Sequence, residues 1–200
     1  MESPRSSRRA VVALVAVLTA FIMALGFIVA GSLAPRRLVE FSLTVHVPRS
    51  AIPDSLVWDT VTVDAAAEDR WRFFDFATGV PVEPPNTVGW DLAFSRFRVV
   101  PADAALDLGP VAFATVHWAP SEGFIATAYE SDTTNAAMSR WYRYDFFSHL
   151  LRPNGHVYVV RTSDGHYAKL EFLSYYCIGT LPGCITFRYA YQGNGSRRFD

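Results

Sequence analysis

The chain has 200 residues, enough for one ordinary domain and an anchor but not for two full domains. Half of the residues are hydrophobic and 14% are aromatic, so a sizeable core can form. Eighteen basic and 19 acidic side chains leave a net charge of −1, which offers no basic stripe for nucleic acid.

Residues 10–34 contain no charged side chain. As a helix that stretch is about 37 Å long, enough to cross a hydrocarbon core of about 30 Å with some tilt. A helix satisfies its own backbone hydrogen bonds, which lipid cannot do. Arg5, Arg8 and Arg9 precede the stretch, and Arg36 and Arg37 follow it, a bias that predicts a cytoplasmic N-terminus. The apolar run exceeds the about 7–15 residues of a signal peptide, and Pro35 follows the small-x-small site Ser32-Leu33-Ala34 directly. The expected organisation is therefore a cytoplasmic tail over 1–9, a single uncleaved transmembrane helix over 10–34, a linker and first strand over 35–56, and a β domain over 57–200. That domain lies on the periplasmic side of a bacterial cytoplasmic membrane. Cleavage near Gly31 or Pro35 is the alternative.

Beyond Arg37 the hydrophobic period is two. Val39, Phe41, Leu43, Val45 and Val47 alternate with polar residues, and 57–63 repeats the pattern. Further strands are predicted over 71–76, from Trp90 through Phe94 to Val100, and near 111–118, 124–129, 141–147, 157–162, 167–176 and 185–191. Pro101 to Pro110 and Pro81 to Gly89 read as loops, and 131–140 as room for one short helix. About ten short strands separated by turns predict an all-β antiparallel sandwich or open barrel. Asp164-Gly165 signals a two-residue hairpin turn that pairs Val160 with Lys169 and Val159 with Leu170. Val157, Val159, Ala168, Leu170 and Phe172 then face inward, and Tyr158, Lys169 and Glu171 face water.

Cys177 and Cys184 flank Ile-Gly-Thr-Leu-Pro-Gly, a turn between two aromatic strands. A disulfide across that neck fits an oxidising compartment and stabilises by about 2–3 kcal/mol. Neither a nucleophile elbow, a zinc-protease helix, a P-loop nor a dinucleotide fingerprint occurs, so an enzyme is not expected. The aspartates Asp54, Asp59, Asp64 and Asp69 read as turn residues, and no metal site is predicted.

The order Phe74-Asp75-Phe76-Ala77-Thr78-Gly79, Trp90-Asp91-Leu92-Ala93-Phe94, the hairpin from Tyr158 to Leu170, Phe172-Leu173-Ser174-Tyr175-Tyr176 and Thr186 to Gln192 resembles the HmuY-like family of bacterial haem-binding proteins. The resemblance runs over about 57–192. It implies an all-β domain that captures haem outside the cell through a pair of His or Met ligands. No ligand pair of the family aligns onto this chain, and Met138 stands alone outside the span and tail, so a Met pair is excluded. The predicted hairpin puts His156 and His166 over 20 Å apart at about 3.3 Å per residue. That leaves His149 with His166, or His117 with His149.

The expected role is a non-catalytic accessory subunit without a cofactor, tethered through 10–34 in the lipid bilayer and binding protein subunits of a larger membrane complex, respiratory or photosynthetic. Interface anchors are sought in Trp141, Tyr142, Arg143 and Tyr144, in Tyr175 and Tyr176, and in Arg188 and Tyr189. The alternative role is a haem-binding receptor.

Overall fold

The computed structural model describes residues 4–33, 38–51, 53–83, 89–129 and 133–200. The chain forms two compact units, Met1–Arg37 with Tyr144–Leu150, and Leu38–Arg143 with Leu151–Asp200. In the first, helix α1 covers Pro4–Leu33. Within its stretch Arg8–Leu33 an 18-residue window has a mean hydropathy of 2.8 and no buried residue, as the uncharged run predicts.

Beyond α1 the described residues form antiparallel sheets that stay open and close no barrel. The strands are β1 (Leu56–Asp64), β2 (Arg72–Asp75), β3 (Val80–Val82), β4 (Leu92–Ser95), β5 (Arg98–Pro101), β6 (Ala104–Asp107), β7 (Ile125–Ala126), β8 (Tyr142–Asp145), β9 (Leu150–Pro153), β10 (Val157–Arg161), β11 (Tyr167–Tyr176) and β12 (Pro182–Gln192). Six form a sheet in the order β1-β12-β11-β10-β6-β7, four form β3-β2-β4-β5, and β8 pairs with β9. Pro81 sits in the edge strand β3, where a missing N–H breaks no interior ladder.

One face of the large sheet packs on the four-stranded sheet through aromatic rings. Phe74 meets Phe187 edge-on at 5.4 Å, and Phe94 stacks on Phe187 at 5.6 Å. Asp91 ties the sheets together: its carboxylate accepts from Phe76 N at 2.9 Å, from Ser163 N at 2.9 Å and from Ser163 Oγ at 3.1 Å. The opposite face packs Val157, Val159 and Ala190 under Phe113, Val116, Ala119 and Phe199.

Several local expectations change. The alternating residues 39–47 form no strand among the described residues; the segment is tied to β1 at Thr44 and to β11 at Val39. Thr44 Oγ1 accepts from Thr62 N at 2.7 Å, and Ser174 Oγ donates to Val39 O at 2.7 Å. The strand expected from Trp90 to Val100 is the hairpin β4–β5, turned at Arg96 with a φ of 55°. The loop expected over 101–110 contains β6, and the strand expected over 111–118 is a covering segment with one 3-10 turn at Phe113–Thr115. The helix expected over 131–140 is a set of turns where the chain is described.

The hairpin β10–β11 is one residue out of the expected register: Val159 pairs with Lys169 and Val160 with Ala168. Its loop has three residues, because Thr162 N donates to His166 O at 3.0 Å and Gly165, at a φ of 83°, donates back to Thr162 O at 3.0 Å. A one-residue slip exchanges faces. Val157 and Val159 therefore share a face with Lys169 and Glu171, and Lys169 is 1% exposed rather than solvated.

Cys177 and Cys184 are bonded, with Cα atoms 4.9 Å apart, as their spacing predicts. The hairpin lies tight on the domain at Gly183, where a Cβ would come within 2.5 Å of Ala66 Cα.

Candidate ligand groove

The strand registers assemble the site. Trp58 lies opposite Ala190, and Ala190 opposite Lys169; one step along, Thr60 lies opposite Arg188 and Arg188 opposite Glu171. Alternation puts all of these side chains on the face covered by the segment around Phe113. Between that segment and the sheet runs a groove of about 570 Å³, lined by Trp58, Thr60, Phe113, Glu171 and Arg188 among others. Its size is in the small-molecule range of about 300–1,000 Å³.

Lys169 holds the covering segment down. Its Nζ donates to Phe113 O at 3.0 Å and Val116 O at 2.7 Å, and lies 4.7 Å from the ring centres of both Trp58 and Phe113 and 5.6 Å from that of Phe199. Carbonyls and aromatic faces thus replace the water this ammonium gives up. Burial lowers its pKa, the Arg188 charge adds to this, and Asp200 opposes it.

Arg188 sits at the groove surface. Its Nε and Nη2 donate to Glu171 Oε2 at 2.8 and 2.5 Å, and its guanidinium lies 4.5 Å from the Phe113 ring centre. Trp58 is 52% exposed and meets Phe113 edge-on at 5.8 Å, so an aromatic wall stands open beside a guanidinium. That combination suits a flat apolar ring system carrying a carboxylate, which a guanidinium pairs with bidentately.

The profile of the family described as HmuY protein matches residues 67–189, more than half of the chain. The chain belongs to the HmuY family. No curated protein matches it in sequence. Among solved structures this HmuY-family chain is similar to the apo HmuY analog TFO of Tannerella forsythia, with a TM-score of 0.62 and 16% identity over 72% of this chain and 99% of that one. It is similar to a candidate lipoprotein of Bacteroides fragilis, with a TM-score of 0.58 and 20% identity over 78% and 97%. A candidate HmuY-like heme binding protein of Bacteroides vulgatus gives 0.56 and 21% over 74% and 97%. At these identities the likeness is one of fold.

Axial ligation of haem takes one ring nitrogen of a histidine, and four of the five histidines hold a polar partner at Nδ1, which leaves Nε2 to donate. His156 Nδ1 lies 2.9 Å from Asp107 Oδ2, His166 Nδ1 lies 3.0 Å from the Tyr191 hydroxyl, and His117 Nδ1 lies 3.6 Å from Asp200 Oδ2. His46 is half-buried, and burial lowers its pKa. His149 bonds the Tyr144 hydroxyl in the first unit, where it is the sole histidine, whereas His166 belongs to the second. In the observed hairpin His156 and His166 stay about 20 Å apart. No histidine lines the groove, and Met138 is fully buried. Neither a histidine nor a methionine lines the groove, so it offers no such donor to an iron.

The expected interface anchors divide. Trp141, Tyr175, Tyr176 and Tyr189 are buried in the domain and serve its core: Trp141, for example, lies 4.5 Å from the Phe172 ring and donates to Phe97 O at 2.7 Å. Arg143, Tyr144 and Arg188 are exposed, and Tyr142 is half-buried. Trp58, Phe113 and Lys169 escaped sequence reasoning. A lysine inside the apolar run 167–176 was the available signal.

Proposed function

We propose that this chain is a non-catalytic HmuY-family binding protein, held by α1 on the periplasmic side of the cytoplasmic membrane, whose groove takes a haem-type ligand. Trp58, backed by the buried Phe113, holds the ring system, and Arg188 exchanges Glu171 for a ligand carboxylate. Haem, when bound, supplies the chromophore; the chain supplies stacking and charge. The observation that carries the reading is the exposed Trp58 wall beside Arg188 on the fold of this family. The charge-free span of α1, the arginine bias and the disulfide support the location and the single-pass orientation. The full chain in mild detergent, titrated with haemin, tests the site. Trp58→Ala should weaken binding while His149→Ala and His166→Ala leave it unchanged. A sharp Soret band lost in either histidine variant overturns the groove and restores the histidine pair.

A second reading, an accessory subunit of a larger membrane complex, is favoured by the disulfide hairpin, whose Ile178 and Leu181 are 62% and 63% exposed. Migration as a free monomer on blue-native gels counts against it.

A further inference from the structure

We infer that the tip of the β8–β9 hairpin, Tyr144 to Leu150, is a second membrane contact, seated in the boundary between headgroups and acyl chains beside α1. The inference rests on the reading of α1 as a membrane span. Phe146, Tyr144 and Phe147 are 70%, 54% and 38% exposed, an aromatic cluster with no core of its own. Its depth is given by the span. Phe147 meets Phe27 edge-on at 6.4 Å, and its Cδ1 lies 3.7 Å from where a Cβ of Gly31 would stand. Both partners belong to the uncharged run 10–34. Gly31 lies three residues before its end, about 4–5 Å along the axis, and Phe27 about 10 Å. A ring touching both residues therefore sits at the depth of about 5–10 Å where aromatic residues prefer the interface.

The tip is built to hold that shape. Asp145 Oδ1 accepts from Phe147 N at 3.0 Å and Ser148 N at 3.1 Å. His149 adopts a φ of 54° and bonds the exposed Tyr144 hydroxyl beside the Phe146 and Phe147 rings. Phe146 and Phe147 meet edge-on at 5.7 Å and form one wedge. The hydroxyl of Tyr144 gives the wedge a polar rim, which suits an interface better than a hydrocarbon interior.

The full chain in phosphatidylcholine–phosphatidylglycerol vesicles tests this, with spin labels at F146C, at S148C (which keeps every ring of the wedge), at V17C in mid-span and at S196C near the C-terminus. The native cysteines are bonded to each other and do not take the label. Collision with a water-soluble nickel chelate should be several-fold lower at F146C and S148C than at S196C, and collision with oxygen higher. V17C should be the most protected from the chelate. Labels at F146C and S148C that behave like S196C, with V17C still protected, overturn the wedge and leave the anchor standing. A V17C label open to the chelate overturns the anchor, and the wedge falls with it.

Discussion

The two faces of the six-stranded sheet are both buried, by different means. One face meets another sheet, and Phe74, Phe94 and Phe187 fill the space with rings that need no polar partner. The other meets an irregular covering segment whose carbonyls cannot pair in a ladder. There a lysine supplies the missing donors: Lys169 reaches Phe113 O and Val116 O. Sheet on sheet gives a dry core, whereas sheet under irregular chain leaves polar groups to satisfy and an open margin, which is the groove.

This contrast predicts different responses to mutation. Phe187→Ala strikes the dry face and should cost about 3–5 kcal/mol, seen as a lower urea midpoint with an unchanged slope. On the same side, burial pushes the Asp91 carboxyl up to about 7 from 3.8, against the pull of its Ser163 and Phe76 donors. A folded pKa above the unfolded one means that folding takes up a proton. This contribution is complete below about pH 4 and is lost as pH rises to about 7, at most about 4 kcal/mol. Asp91→Asn should flatten that slope of stability against pH. A slope that persists would place its origin elsewhere.

On the second face, Lys169→Met keeps the volume and removes two charged donors. The loss should be about 1.5–3 kcal/mol, with faster amide exchange over 108–119 and little change in the four-stranded sheet. Uniform destabilisation of both faces would erase the distinction drawn between them. The smallest effect is expected at the margin. Arg188→Ala should weaken haemin binding about tenfold, or about 1.4 kcal/mol, with the fold intact.

The sequence makes the dry face legible and leaves the other hidden. Strand β11 is predicted over its full extent, Tyr167–Tyr176, and β12 and β1 nearly so, since their alternation and turn residues are local signals. The failure turns on one loop residue. Asp164-Gly165 suggests a two-residue turn, yet Thr162 closes a three-residue loop through backbone and side chain, and every face assignment in β10 reverses. The groove depends on that register and on the long-range placement of Phe113 over Lys169, so neither is visible in periodicity. Trp141 and Tyr175 look like surface anchors because aromatic clusters read alike in cores and interfaces; only the Phe172 ring against Trp141 and the bond from its indole N–H to Phe97 O separate them.

The ligand proposed for the groove is held by its ring and acid groups rather than by its iron. Parallel titrations of the full chain with haemin and with metal-free protoporphyrin IX test it most directly. Affinities within a few-fold of each other, both weakened by Trp58→Ala, are the predicted result. Tight binding of haemin with no binding of the metal-free ring would contradict this and show that an iron ligand outside the groove holds the haem.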